Sequence, residues 1–217
     1  MEQLRSNCAL MAEIDRIAEV AGYLWTKGWA ERNGGNISVN VTSLLTPEDL
    51  ALPALAPAKA LPEKMKALAG HVFYVTGTGK RMRYVAPFEN GSLIRVAADG
   101  LSYEIIAEQP IQPTSELPSH LMMHNCVRST GRDNRVVLHT HPTDLIGMTH
   151  CKRFLNSDYL TKVLWSQSAE SLYRKESVLF RMKYLVLWNW LGQPSNSWRI
   201  MMWYFGKNMV SWQSERI

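Results

Sequence analysis

Apolar positions at Met11, Ile14, Ala18, Ala21 and Trp25 recur at steps of three and four residues. That spacing predicts an amphipathic helix over about Gln3 to Trp29, with Gly28 marking its end. After the turn Glu31-Arg32-Asn33-Gly34-Gly35-Asn36 the period changes to two, with Ile37, Val39 and Val41 alternating as a strand. Thr46 to Leu68, rich in Pro, Ala and Leu, has no clear period and reads as an excursion. Val72 to Val75 is a short apolar strand opening into Thr76-Gly77-Thr78-Gly79-Lys80. Asp99-Gly100 between two apolar runs signals a hairpin. Thr114-Ser115-Glu116-Leu117-Pro118 starts a helix to about Val127, with Ser115 or Thr114 as cap. A strand at Val136-Val137-Leu138-His139-Thr140-His141 and a helix from about Thr143 to Leu164 follow. This order predicts an α/β fold, with α/β/α layers around a largely antiparallel sheet.

A chain of 217 residues suits one sizeable domain, and 46% apolar with 20% charged residues is globular composition. No apolar run approaches a membrane span, and no signal-peptide pattern opens the chain, so the expected place is the cytoplasm without membrane attachment. Cys8, Cys126 and Cys151 lack metal-type spacing and predict buried or half-buried thiols. Net charge is +5, but Ser166 to Ile217 holds seven Lys/Arg against three Glu and so carries four of those charges. The nearly neutral body, with no basic patch interleaved with aromatics, argues against a nucleic-acid partner.

The chemistry concentrates at His139 and His141. Residues i and i+2 of a strand point to one face, so the two imidazoles are placed to share a divalent ion. Ordinary strand histidines with unrelated hydrogen bonds remain the plain alternative. Glu116, at a helix head, is either a capping charge or a general acid/base beside a metal. Asn33-Gly34-Gly35-Asn36 and Thr76-Gly77-Thr78-Gly79-Lys80 are turns whose N–H groups can cradle an anion, or can simply reverse the chain. The second is not a Walker A loop, because Tyr74 and Arg81 replace the required glycine and hydroxyl residue. His120, His124 and His150 fall in helical stretches and read as structural. Met122 and Met123 read as core filling.

Four strings carry a resemblance: Gly28-Trp29-Ala30-Glu31-Arg32-Asn33-Gly34-Gly35-Asn36, Thr76 to Lys80, Pro113-Thr114-Ser115-Glu116-Leu117-Pro118-Ser119-His120, and His139-Thr140-His141. Together they resemble the rhamnulose-1-phosphate aldolases of the zinc-dependent class II aldolase/adducin-like superfamily, over about Ile17 to Trp165. The resemblance implies Zn²⁺ held by His139, His141 and a third histidine, acting as a Lewis acid on an enediolate. Glu116 would shuttle the proton, while Asn33, Asn36, Thr78, Thr114 and Ser115 would hold phosphate or orient the enediolate. Products would be dihydroxyacetone phosphate and L-lactaldehyde, and the implied assembly is a cytoplasmic homotetramer. A related class II sugar-phosphate aldolase or pentulose-phosphate 4-epimerase, and a metal-free scaffold like the adducin head, are the competing expectations.

The third ligand breaks the pattern. In the family it lies downstream in a Trp-Glu-Lys-His-Gly-type string, whereas the last histidine here is His150. Catalytic zinc ordinarily has three protein ligands. The tail gathers Trp188, Trp190, Trp198, Trp203 and Trp212, and has no Asp after Asp158. Codons for Met202-Trp203-Tyr204-Phe205-Gly206-Lys207-Asn208-Met209, read from each third base, permit Val-Val-Leu-Trp-Glu-Lys-His-Gly. Phe180 to Val186 read the same way permits Pro-Tyr-Glu-Val-Pro-Gly. The expectation is therefore a class II aldolase-like domain over residues 1–170 and a frame-shifted tail over 171–217, stopped early. It further expects impaired activity and no regular packing after about Arg174.

Overall fold

A computed structural model describes residues 2–85, 88–106, 108–148 and 151, with the short segments 187–188, 199–200 and 202–206. The first helical stretch is broken in two, α1 (Glu2–Ser6) and α2 (Cys8–Thr26). Asn7 causes the break, since its side chain accepts from the Leu10 N–H and caps the second helix. The buried stripe of α2 is Leu10, Ile14, Ile17, Ala21 and Leu24. It is rotated from the predicted stripe, which leaves Trp25 45% exposed. Each buried Leu or Ile on that stripe contributes about 1.5–3 kcal/mol by leaving water.

The strands β1 (Asn36–Asn40), β2 (Lys59–Ala60), β3 (Val72–Thr76), β4 (Gly91–Val96), β5 (Ser102–Ile105) and β6 (Val136–Thr140) form one sheet. Short strands β7 (Leu187–Trp188) and β8 (Arg199–Ile200) pair with each other, and β9 (Met202–Gly206) joins the large sheet. Its order is β2-β5-β4-β3-β1-β6-β9, and every pairing is antiparallel. The Asp99-Gly100 turn forms as predicted, with Gly100 at φ +71° and its N–H on the Ala97 carbonyl.

Register sorts the sheet into two faces. Asn36, Ser38, Phe73, Ser92, Val137 and His139 share one, while Ile37, Tyr74, Leu93 and Leu138 share the other. Helix α4 (Leu117–Ser129) lies on the first face, where the His124 ring sits 4.8 Å from that of Phe73. Helix α2 and the short α3 (Pro47–Leu50) lie on the second. There Thr140 bonds the Trp29 carbonyl, and Arg95 bonds the Leu50 carbonyl. The α/β/α expectation holds.

Two expectations are revised. The excursion Thr46–Leu68 contains α3, whose Thr46–Asp49 capping box needs no hydrophobic period to form. The cysteines Cys8, Cys126 and Cys151 are all exposed, because helix starts and outward positions place them outside the core. Of the segment after Arg174, where no regular packing is expected, the described residues include β9, which runs alongside β6 with Trp203 opposite His139. Met-Trp-Tyr-Phe is β-favouring, and ladder bonding at a sheet edge uses backbone groups that every sequence has. The predicted helix through Leu164 is described as α5 (Thr143–Met148), and the remainder lies outside the described residues, as do His150 and most of 171–217.

Candidate active site

The site gathers at one end of the sheet because of strand polarity. β1 begins where antiparallel β6 ends, so Asn36 lies opposite His139. β3 ends at the same edge and leads into Gly77-Thr78. Thr114 then returns the chain there by donating its N–H to the Thr76 carbonyl, which delivers Ser115 and Glu116 to the head of α4. All eight residues singled out in the sequence therefore reach one edge.

His139 is the last-but-one residue of β6 and is 1% exposed, while His141 follows the strand with its N–H on the Trp29 carbonyl. Their Nε2 atoms are 3.1 Å apart and the ring planes are inclined by 58°. The two rings meet through these nitrogens in a hydrogen bond, on the common face that the i, i+2 spacing predicts. The Asn33-Gly34-Gly35-Asn36 turn is pressed against them. A Cβ on Gly34 would stand 3.0 Å from His141 Nδ1, and one on Gly35 would stand 2.9 Å from the His139 carbonyl oxygen. Gly35 also holds φ +77°, so this turn needs glycine for both space and backbone.

Glu116 occupies the N-cap position of α4 yet makes no side-chain cap bond. Its Oε2 instead accepts from Asn36 Nδ2 at 2.9 Å and from His139 Nδ1. What Glu116 offers the helix start is therefore its charge at the N-cap position and no hydrogen bond. Thr114, not Glu116, tends the helix start, its Oγ1 accepting from the Glu116 N–H at 3.3 Å. His139 thus turns Nδ1 toward the carboxylate and Nε2 toward His141. Burial pushes the Glu116 carboxyl upward. The His139 hydrogen bond, the His139 charge, the Asn36 amide and the His141 charge outweigh it and hold the group below its ordinary range.

The remaining expected residues sit further out. Asn33, Thr78 and Ser115 are exposed, and Thr114 is buried. The turns spend several of the N–H groups that a cradle would offer: Gly34 donates to the Glu31 carbonyl, Thr78 to Gln112 and Lys80 to Gly77. What faces outward from these turns is side-chain hydroxyl, amide and ammonium.

Residues passed over in the sequence lie behind the site. His120 and His124, four apart on α4, both reach Ser38 of β1, at 2.7 Å and 2.9 Å. His120 Nε2 continues to Asn36 Oδ1. The polar phase Asn36, Ser38, Asn40 against apolar Ile37 and Val39 signalled a polar contact on that face, and the His-x-x-x-His spacing on the helix was its complement.

Burial holds His120 well below the usual imidazole range, with the charges of His124 and His139 adding to it. His124 is lowered to about 3, chiefly by burial, against an upward pull from Ser38 and with a further lowering from His71. In the unfolded chain each ring protonates near 6.5, so between about 3 and 6.5 the unfolded state binds more protons. Stability is then complete above pH 6.5 and falls as pH drops through that window. For His124 alone, unfolding in urea is expected to cost about 2 kcal/mol less at pH 5 than at pH 7. His124→Gln should flatten that dependence, and an equally steep profile in the variant would remove His124 as its source.

A layered α/β domain with paired histidines and a carboxylate at one sheet edge is the class of protein defined by these features. Residues 15–180 match the family described as Class II Aldolase and Adducin N-terminal domain, and the chain belongs to that family. It is 48% identical over 170 residues to a rhamnulose-1-phosphate aldolase of Bacteroides thetaiotaomicron, covering 77% of this chain and 63% of that one. A rhamnulose-1-phosphate aldolase of Klebsiella pneumoniae is 38% identical over 154 residues, covering 68% and 55%. Among solved structures, a sugar-phosphate aldolase from Thermotoga maritima superposes with a TM-score of 0.61 at 28% identity, covering 74% of this chain and 66% of that one. The chain thus spans less than two thirds of the length of each of these three.

Proposed function

We propose that this chain carries the active-site half of a zinc-dependent aldolase cleaving L-rhamnulose 1-phosphate to dihydroxyacetone phosphate and L-lactaldehyde. The observation that carries the reading is the convergence of His139 and His141, with Glu116 on the far nitrogen of His139. Two imidazole nitrogens on one tetrahedral zinc stand roughly 3.3 Å apart. The two Nε2 atoms, hydrogen-bonded at 3.1 Å without a metal, already stand close to that separation. Zinc there would supply a Lewis acid for the oxygens next to the breaking carbon–carbon bond.

The protein groups divide the remaining work. Glu116, held as a carboxylate by Asn36 and His139, is the proton acceptor and donor at the substrate carbon. Asn33, Thr78, Thr114 and Ser115 border the same edge and supply polar contacts to a phosphate or to the carbon chain. Asn36 orients Glu116. The homotetrameric assembly and cytoplasmic setting implied by the resemblance belong to this reading as well.

Among the described residues no group of three metal-ligating side chains is assembled. We propose that the third ligand was lost to a change of reading frame between about Trp165 and Arg174, and that the domain proper covers residues 1–170. Zinc binding by the two remaining histidines is then weak and turnover slow.

Metal analysis after dialysis tests the site. Zinc added to the purified chain should be retained below one per chain, and His139→Ala or His141→Ala should abolish retention. One zinc per chain surviving in the double variant would refute the pair as ligands. The substrate is tested separately, by coupling release of dihydroxyacetone phosphate to its reduction by NADH.

A further inference from the structure

Behind the site runs a buried line of hydrogen bonds: His124, Ser38, His120, Asn36, Glu116, His139. Its members come from α4, β1 and β6, so it ties both sheet strands to the helix that carries Glu116. Ser38 and His120 are fully buried, and His124 is 2% exposed.

Donor inventory allows one order of protons along this line. A carboxylate only accepts, so Asn36 presents Nδ2 to Glu116 and turns Oδ1 toward His120. That carbonyl oxygen also only accepts, so His120 carries its hydrogen on Nε2. Burial keeps the ring neutral, which leaves Nδ1 bare to accept the Ser38 hydroxyl proton. Ser38 has no second proton. Its oxygen therefore accepts from His124, whose hydrogen sits on Nε2. A flipped Asn36 amide would set oxygen against carboxylate on one side and N–H against N–H on the other.

We infer that His120, seated by Ser38 and His124, is a positioning residue that locks the Asn36 amide in the orientation donating to Glu116. The lock extends the reading of Glu116 as the proton-transferring group and rests on it for its catalytic meaning. Its geometry is testable without turnover.

The test uses the full chain labelled with nitrogen-15. Long-range proton–nitrogen correlations of the imidazoles should show His120 and His124 neutral, each protonated on Nε2. Two variants then separate positioning from filling. His120→Gln keeps an amide N–H near the place of Nε2, while His120→Asn keeps polarity but falls short of Asn36. The Asn36 side-chain amide hydrogens should exchange with water at the native rate in the first. In the second they should exchange roughly fivefold faster or more, the effect of losing one net hydrogen bond.

A hydrogen on His120 Nδ1, or equal Asn36 exchange in all three proteins, would overturn the inference. Should His120→Asn not fold, Ser38→Ala decides. It is expected to leave His120 less firmly seated, so that the Asn36 amide hydrogens exchange faster than in the native protein, and an unchanged exchange rate would count against the lock. Failed zinc binding with the Nε2–H tautomers intact would strike the aldolase reading alone. A wrong tautomer with zinc retained would strike the lock alone.

Discussion

A chain whose residues after about Trp165 are translated from the shifted frame is expected to retain one zinc per chain and to cleave L-rhamnulose 1-phosphate on the order of 10³-fold faster. The figure follows from Lewis-acid stabilisation of several kcal/mol, at 1.36 kcal/mol for each factor of ten. The warrant is coding capacity. The codons for Met202 to Met209 and for Phe180 to Val186 both permit family-type strings when read from third bases, in the same frame. The first of them would contain the histidine that, on the proposed reading, completes the pair formed by His139 and His141. The β-strand at Met202–Gly206 does not contradict this, since apolar and aromatic residues add to a sheet edge through their backbone. Nucleotide sequencing is the first check, because a gene without Glu-Lys-His-Gly codons in that frame ends the proposal. A restored chain no faster than the present one would end it too.

The largest structural effect is expected at Gly35. A side chain there meets the His139 carbonyl oxygen at 2.9 Å and Met82 Sδ at 3.0 Å, on a backbone at φ +77°. Gly35→Val adds branching at Cβ to both penalties, and about 3 kcal/mol of stability should be lost. Relief requires the turn to move off β6, which takes Asn36 and the His139 backbone with it. Gly131 provides the comparison, with φ +73° and nothing within 4 Å of the place a Cβ would take. Gly131→Ala should cost only the left-handed penalty, about 1 kcal/mol. Urea unfolding of the two variants checks the argument: equal losses would show that backbone conformation alone matters at Gly35.

Much of the site was legible along the chain because its signals are local. The one-residue spacing of His139 and His141 sets their common face through strand geometry alone. Asp99-Gly100 specifies its turn through the left-handed backbone of a glycine. The period of two in Ile37-Ser38-Val39-Asn40 announces a strand with one polar phase. Hydrophobic spacing was less decisive in α2, where two neighbouring stripes both repeat at three and four. Packing on the sheet selected Leu10, Ile17 and Leu24 over Met11, Ala18 and Trp25.

What the linear pattern left open were choices between partners far apart in the chain. Glu116 could cap its own helix or leave it, and the choice fell to Asn36 and His139, 80 and 23 positions away. His120 and His124 read as structural helix residues, but the Ser38 hydroxyl of β1 that satisfies both lies 82 and 86 positions away. The physical reason is common to both. Helix and strand periods report which side of an element is apolar, and short-range sterics suffice to set them. A buried polar group is satisfied only by whatever donor or acceptor the packed layers deliver, and that pairing exists only once sheet and helix have met.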